Sequence, residues 1–289
     1  LNTKRNLPLS IIMGDVNGLK LTNDVFGHTF GDMLLKKAAE TLRTQCRADD
    51  IISRIGGDEF VILLPKTEKE EAESIMKRIQ DAFSKEKIAA LRGSMAMGCD
   101  TKFLMDQDII HVLKNAENKM YMQKTLNRSS IDEEFINTIM ETLYARSPKE
   151  KEHSEIVSEM CVATGKEIGL SDSELRKLKE AGRFHDIGKI ILDDGLLNKN
   201  IPLSPKEKKE MRMHCLTGFR ILNSFEGTVD LAESILAHHE RWDGSGYPKG
   251  LKGVEIPLLA RIIAVAEAYD AMTGKKGKTP EEAVHDLKE

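Results

Sequence analysis

The sequence predicts an α+β domain followed by an all-α domain, and three observations carry that expectation. At 289 residues the chain is longer than one compact core usually supports. Up to residue 128, short β-branched runs interleave with stretches of helical periodicity, as in an α+β layer structure. Beyond Arg128-Ser129-Ser130 almost every segment has helical spacing, and none reads as a convincing strand. The domains are therefore placed at 1–128 and 129–289.

In chain order, the isoleucine-rich run from Leu9 to Val16 reads as a buried strand ending in the polar loop Asp15-Val16-Asn17-Gly18. Residues 33–46 carry apolar side chains at helical spacing. The β-rich runs 51–55 and 60–64 flank Gly56-Gly57, which predicts a hairpin whose tight turn uses positive φ. A helix is expected over 67–83 on the line Ala72, Ile75, Met76 and Ile79, then a strand over 92–99 and a helix over 108–124. In the second half, helices are expected at 132–145, 149–168, 172–185, 205–223, 228–241 and 257–272. Pro205 and Pro257 fall near helix starts, where a missing amide costs least. Residues 193–204 read as loop, and no internal repeat or low-complexity segment interrupts the pattern.

A formal charge of −4 and a pI near 6.1, with acidic and basic residues mixed along helix faces, argue against a nucleic-acid polymer as partner. No apolar run approaches the roughly 18–20 residues of a membrane span, and the start has no signal-peptide pattern, so a cytoplasmic location is expected. Cys46, Cys99, Cys161 and Cys215 form no CxxC pair and read as reduced, buried thiols.

Two constellations carry chemistry. In the first half, Asp15 at a strand end and Asp58 and Glu59 at a hairpin tip are carboxylates that suit Mg²⁺ and a bound triphosphate when brought to one sheet edge. On residue types alone, a Gly-Gly turn followed by acids is also a common surface hairpin. In the second half, His153, His185, Asp186, His214, His238, His239 and Glu267 offer a mostly imidazole set, which favours Fe, Mn, Ni or Zn over Mg²⁺. The adjacent pair His185-Asp186 can serve two metals about 3.5 to 4 Å apart, a recurrent design for phosphodiester hydrolysis. His111 and His285 read as chance surface histidines.

The segment Asp15-Val16-Asn17-Gly18-Leu19-Lys20-Leu21-Thr22-Asn23-Asp24-Val25-Phe26-Gly27-His28-Thr29-Phe30-Gly31-Asp32 resembles the opening signature of GGDEF-type diguanylate cyclases. Arg54-Ile55-Gly56-Gly57-Asp58-Glu59-Phe60 is similar to their namesake motif, and Tyr121-Met122-Gln123-Lys124-Thr125-Leu126-Asn127-Arg128 to their closing helix. The resemblance covers 1–128 and implies a central, mostly antiparallel sheet with helices, of the nucleotidyl-cyclase and polymerase-palm kind. It implies Mg²⁺ or Mn²⁺ held by Asp15, the carbonyl of Val16 and Asp58. Asn23 and Asp32 would bind guanine, and Lys20, Arg54, Lys124 and Arg128 would meet the rest of GTP. Asp58 and Glu59 would be catalytic, in the in-line attack of one GTP 3′-hydroxyl on the α-phosphate of another across a homodimer. Arg47-Ala48-Asp49-Asp50 matches the family's RxxD product site, where Arg47 and Asp50 would grip cyclic di-GMP; the family places His28 in a structural loop. Asn17 stands where an Asp is usual, and the helix that normally precedes Leu7 is missing.

His185-Asp186-Ile187-Gly188-Lys189 and His238-His239-Glu240-Arg241-Trp242-Asp243-Gly244-Ser245-Gly246-Tyr247-Pro248 together resemble HD-GYP phosphohydrolases, over roughly 131–286. This implies an all-α HD-superfamily domain in which His153, His185, Asp186, His214, His238, His239 and Glu267 ligate two transition metals, Fe or Mn first. Asp186 and Lys189 would act at the scissile phosphate of cyclic di-GMP, opened to the linear dinucleotide and cut on to GMP. Gly244, Gly246, Tyr247 and Pro248 would shape a loop that the family also uses for contacts with GGDEF domains. Three departures stand out. Glu267 occupies the position of a metal-binding Asp. Lys149 lies one helical turn before His153, where trinuclear members carry Glu, so two metals are expected rather than three. Gly274-Lys275-Lys276-Gly277-Lys278 replaces an Arg-Pro-Tyr-Arg stretch that helps bind phosphates, leaving lysines as point charges.

Together the resemblances imply a bacterial signalling protein that makes cyclic di-GMP in one half and hydrolyses it in the other. Two alternatives stay open: one half catalytic and the other regulatory, or a non-catalytic cyclic di-GMP receptor. The start at Leu1 and the end at Glu289 inside a helix-like stretch read as a fragment, lacking an upstream sensor region that could tether it.

Overall fold

The computed structural model describes residues 4–275 and 277–288. Lys276 of the lysine run lies outside the described residues, as does the side chain of Lys275. The chain divides into two compact units, Leu1–Thr138 and Ile139–Glu289. No described helix is long and apolar enough to cross a membrane.

The first unit contains β1 (Leu9–Val16), α1 (Leu19–Phe26), α2 (His28–Gln45), β2 (Ile51–Arg54), β3 (Glu59–Pro65), α3 (Lys69–Phe83), β4 (Lys87–Ile88), β5 (Leu91–Arg92), β6 (Met95–Lys102) and α4 (Ile109–Leu126). Its sheet is antiparallel throughout, in the order β2-β3-β1-β6, and β4 and β5 pair as a separate ribbon. Successive side chains of a strand point to opposite faces. Ile12 of β1 accordingly packs with Leu34, Leu42, Ile75 and Ile79 of α2 and α3, while Met13 packs with Ala116 and Met120 of α4. Helices therefore cover both faces, and every residue of β1 is buried. Register sets Asp15 opposite Glu59, which carries these carboxylates to one end of the sheet.

Three local features differ from expectation. Residues 19–26, to which the sequence assigns no element, form α1. The strand expected over 92–99 sits at Met95–Lys102, because Leu91–Arg92 pairs with Lys87–Ile88 instead. The Gly56-Gly57 turn does not use positive φ. Arg54 closes it instead, its guanidinium donating to the carbonyl oxygens of Gly56 and Gly57 at 2.7 to 3.2 Å.

Helix α5 (Arg128–Arg146) contains the division between the units and is followed by α6 (Pro148–Glu167), α7 (Asp172–Phe184), α8 (Asp194–Leu197) and α9 (Pro205–Met211). Then come α10 (Met213–Asn223), α11 (Val229–Ala237), α12 (Leu258–Asp270) and α13 (Pro280–Lys288), with no strand among the described residues of the second unit. Capping boxes at Ser171 with Glu174 and at Ser204 with Glu207 start α7 and α9. Helix α8 arises inside the stretch expected as loop, where the Asp193 side chain accepts from Leu196 N at 2.9 Å.

Two expected helices end early for one shared reason. The 205–223 helix breaks at Arg212, and the 228–241 helix stops at Ala237. His214 Nδ1 donates to the Met211 carbonyl at 2.6 Å and His238 Nδ1 to the Ile235 carbonyl at 2.5 Å. Each carbonyl would have served the N–H four residues on in a continuing helix. His185 does the same with Gly182 at the end of α7, at 2.8 Å.

Candidate metal centre and nucleotide site

Five helices of the second unit converge on the histidines. His153 comes from the second turn of α6, His185 and Asp186 from just past the end of α7, His214 from the start of α10, His238 and His239 from just past the end of α11, and Glu267 from α12. His185, Asp186, His214 and His238 are each at most 1% exposed. The segment Ile187–Ile191 must press against α10 to place Asp186 beside His214, and Gly188 allows it. A Cβ there would fall 1.9 Å from the His214 carbonyl oxygen and 2.5 Å from Gly218 N.

The donor atoms form two groups, His153, His185 and Glu267 in one and His214, His238 and His239 with Cys215 in the other, each spanning no more than 4.8 Å. Asp186 stands between them, Oδ2 lying 3.0 Å from His185 Nε2 and Oδ1 lying 3.4 Å from His214 Nε2. All the ligands expected in this half are thus brought together.

This set fits metal cations on three grounds. His214 and His238 both spend their Nδ1–H on carbonyls, so their Nε2 atoms present lone pairs to each other across 3.2 Å. That arrangement is repulsive until a cation stands between them, and giving the other ring N–H to a carbonyl is how ligating imidazoles are oriented. Second, neither oxygen of the buried Asp186 accepts a well-directed hydrogen bond. Third, burial, reinforced by neighbouring imidazoles, holds His238 well below its ordinary pKa and His239 at about 3, so both are neutral and able to ligate. His185 goes the other way: burial lowers it, but Asp186 lifts it to about 9, which marks a position that attracts positive charge.

Around this centre, Asp270 and Glu150 are residues that sequence reasoning did not single out. Asp270 Oδ2 accepts from His153 Nδ1 at 2.6 Å, fixing that ring. Lys189 Nζ lies 2.7 Å from Asp186 Oδ2 and 2.9 Å from Glu150 Oε2, and these two carboxylates raise its pKa against the effect of burial. Glu150, rather than Lys149, is therefore the acid facing the site from the start of α6; Lys149 donates to Asn200 Oδ1 at 3.1 Å. Spacing of i, i+3 to His153 could have indicated it. Lys278 pairs with Asp286 of α13. A cavity of about 690 Å³ opens over the centre, lined among others by Lys149, Glu150, His153, Lys189, Asn200 and Glu267.

The Gly-rich loop is built on Glu240, 4% exposed, whose carboxylate accepts from the backbone amides of Lys249, Gly250 and Leu251 at 2.7, 3.1 and 3.1 Å. Gly246 passes so close to the chain that a Cβ would lie 2.3 Å from Arg241 N. Tyr247 is thereby stacked on His239, ring centroids 4.9 Å apart, with the Arg212 guanidinium 4.5 Å from the Tyr247 ring centroid.

In the first unit, Lys124 Nζ lies 2.7 Å from the buried Asp15 carboxylate. Burial raises the Asp15 pKa, Lys124 opposes the rise and Asp58 adds to it, so the two acids are near enough to interact. Val16 N donates to the Asp58 carbonyl at 3.0 Å, joining the strand end to the hairpin tip. Glu59 is half-buried beside it, while Lys20 and Asp32 are exposed on α1 and α2 and Arg128 at the start of α5. The Asn23 side chain lies against Gly31. Asn17, the departure noted above, donates from Nδ2 to Ser94 Oγ at 2.9 Å. Arg47 and Asp50 are adjacent, but the Arg47 guanidinium pairs with Glu71 of α3 while the Asp50 carboxylate caps Arg47 N at 2.7 Å.

A family profile described as HD domain matches residues 137–289, and one described as diguanylate cyclase, GGDEF domain, matches 1–130. The chain is 37% identical over 172 residues to a cyclic di-GMP phosphodiesterase of Thermotoga maritima, covering 57% of this chain and 47% of that protein. It is 37% identical over 145 residues to 3′3′-cGAMP-specific phosphodiesterase 2 of Vibrio cholerae, covering 50% and 28%. It is 39% identical over 120 residues to the cyclic di-GMP phosphodiesterase response regulator RpfG of Xanthomonas campestris pv. campestris, covering 41% and 32%. The chain thus spans less than half the length of each of these relatives. Among solved structures, the GGEEF domain of a diguanylate cyclase from Vibrio cholerae is 28% identical and covers 41% of this chain and 77% of that one, at a TM-score of 0.39.

Proposed function

Because the chain belongs to the HD domain family and carries a diguanylate cyclase GGDEF domain ahead of that module, we propose that its helical half hydrolyses cyclic di-GMP and its α+β half makes cyclic di-GMP from GTP. The observation that carries the first part is a buried, unsatisfied carboxylate set between two groups of inward-facing histidines.

His153, His185 and Glu267 would hold one ion and His214, His238 and His239 a second, with Asp186 reaching both. Fe or Mn suits so imidazole-rich a set. When bound, such a pair supplies an activated water at neutral pH and neutralises charge on the phosphodiester. The chain's own residues do the rest. Lys189 gives one N–H to Glu150 and stands as a counter-charge 2.7 Å from Asp186, leaving N–H capacity for a phosphate oxygen entering the cavity. Asp270 keeps the His153 proton on Nδ1, so that Nε2 faces the site. Tyr247 covers the outer face of His239 and keeps bulk water from it.

In the α+β half, Asp15 and Asp58 would hold Mg²⁺ or Mn²⁺, and Lys124 would pass from Asp15 to a GTP phosphate as the cation replaces it. Each GTP is held by one subunit, so synthesis needs a homodimer. Opposed activities in one chain imply that an input signal sets their balance.

Incubation with cyclic di-GMP or 3′3′-cGAMP and Fe²⁺ or Mn²⁺ under anaerobic conditions, with products separated by chromatography, tests the hydrolase. Linear dinucleotide or GMP should form from cyclic di-GMP and be absent with the His185→Ala/Asp186→Ala variant. A folded, metal-loaded protein that leaves both substrates intact refutes it. Cyclic di-GMP formation from GTP and Mg²⁺, lost in Asp58→Ala, tests the cyclase in the same way.

A further inference from the structure

Cys215 directly follows His214 in α10 and is fully buried. Its Sγ lies 3.5 Å from His214 Nε2. Its sulfur and the donor nitrogens of His214, His238 and His239 all lie within 4.8 Å of one another. Cys161 is equally buried but belongs to no such group among the described residues.

We propose that Cys215 Sγ is itself a ligand of the ion held by His214, His238 and His239, making this end of the centre a thiolate-imidazole site that prefers Fe²⁺ or Zn²⁺ to Mn²⁺ or Mg²⁺. The inference rests on the two-metal reading above and adds to it a ligand, and a metal preference, that the histidines do not supply.

The separations fit a shared ion. With metal-nitrogen bonds near 2.0 Å and metal-sulfur bonds near 2.3 Å, two ligands on a tetrahedral edge stand about 3.3 Å apart as nitrogen and nitrogen and about 3.5 Å apart as nitrogen and sulfur. The observed pairs are 3.2 Å for His214 Nε2 to His238 Nε2 and 3.5 Å for His214 Nε2 to Cys215 Sγ. Both imidazoles have already given Nδ1–H to carbonyls, so both Nε2 atoms are electron-pair donors. Asp186, 1% exposed and without a well-directed hydrogen bond, brings Oδ1 to 3.4 Å from His214 Nε2 on the same side. Besides His239, four donor atoms therefore gather, His214 Nε2, His238 Nε2, Asp186 Oδ1 and Cys215 Sγ, with no proton among them but the thiol's own. When the sulfur-metal bond forms, that proton leaves to solvent and no electron changes hands. Thiolate ligation shifts the preference toward softer cations.

The test is reconstitution of the full chain with Co²⁺ under anaerobic conditions, reading metal content and the near-ultraviolet thiolate-to-cobalt charge-transfer band. The band should be present in the wild type and in Cys161→Ser and lost in Cys215→Ser, with two cobalt ions per chain throughout when all are prepared in the Asp58→Ala background that removes the cation site of the α+β half. Two cobalt ions without a band in the wild type, or a band that survives Cys215→Ser, overturns the thiolate ligand and leaves the two-metal centre standing. A wild type that binds no cobalt overturns both. X-ray absorption at the metal edge of the wild type is independent of whether a variant folds: a sulfur at about 2.3 Å supports the ligand, and a shell of nitrogen and oxygen alone overturns it.

Discussion

Glu240 directly follows the candidate ligands His238 and His239, and its carboxylate holds a loop. Replacing it with Gln tests that role. The carboxylate is 4% exposed and accepts three backbone amides at 2.7, 3.1 and 3.1 Å. A hydrogen bond to an ionised group contributes about 1.5–3 kcal/mol and a neutral one about 0.5–1.5. In Glu240→Gln one oxygen becomes an amide donor, so at least one N–H faces another donor and the remaining contacts become neutral. The combined loss is about 3–4 kcal/mol. At about 2–4 °C per kcal/mol for a unit of this size, the transition of the helical half should fall by ~6–15 °C in calorimetry. Metal content should be unchanged, because Glu240 spends its oxygens on the loop. A shift below about 2 °C would refute the anchoring role on the same scale, and loss of one ion per chain would show Glu240 to be a ligand after all.

Lys189→Met strands Asp186 and Glu150 without their cation; the helical half should lose about 3 kcal/mol or more, and hydrolysis should slow by about 10²–10³, with both ions retained by elemental analysis. Tyr247→Ala should raise the rate of metal loss to a chelator by about 10-fold by freeing the His239 ring, whereas Tyr247→Phe, which keeps the stack, should not. Burial holds His153, His214, His238 and His239 below the ordinary value of 6.5, His239 at about 3, so the unfolded chain takes up protons first and metal-free stability should fall as pH drops from 6.5 toward 3. His185, which burial lowers but Asp186 lifts to about 9, opposes this, adding stability below 6.5 that is lost as pH rises toward 9. Four groups outweigh one, and a melting temperature that rises on acidification below 6.5 would contradict the neutral, buried imidazoles.

The strand Leu9–Val16 was legible to the residue, because a central strand buried on both faces reads as a mostly apolar run. That these histidines gather in one place was legible because His185-Asp186 and His238-His239 are adjacent pairs that an ordinary core does not use. Helix ends near the site were not. Nothing local in Met211-Arg212-Met213 breaks a helix; the break comes from His214 claiming a carbonyl, a choice made by the centre it faces. Glu150 escaped notice because the family pattern points to position 149, whereas the helix turns position 150 toward Lys189. Asp270, three residues after Glu267 and on the same face of α12, carried a spacing signal that could have been read. Cys215 was set aside for lack of a CxxC partner, since its neighbours are imidazoles: His214 beside it in the chain, and His238 and His239 from the end of α11, distant in sequence. Gly56-Gly57 suggested a left-handed turn from composition, but Arg54 holds that turn by side-chain bonds that composition does not reveal.

The central claim is that Asp186 joins two separate metal positions, and metal stoichiometry in four forms of the protein tests it most directly. After anaerobic reconstitution with Fe²⁺ in the Asp58→Ala background, which removes the cation site of the α+β half, the protein should hold two ions per chain, His153→Ala should keep only the ion of His214, His238 and His239, and His214→Ala only that of His153, His185 and Glu267. Asp186→Ala should weaken both. A single ion in that background that vanishes equally in every further variant, or no ion at all, would contradict the two-position centre and the hydrolase built on it.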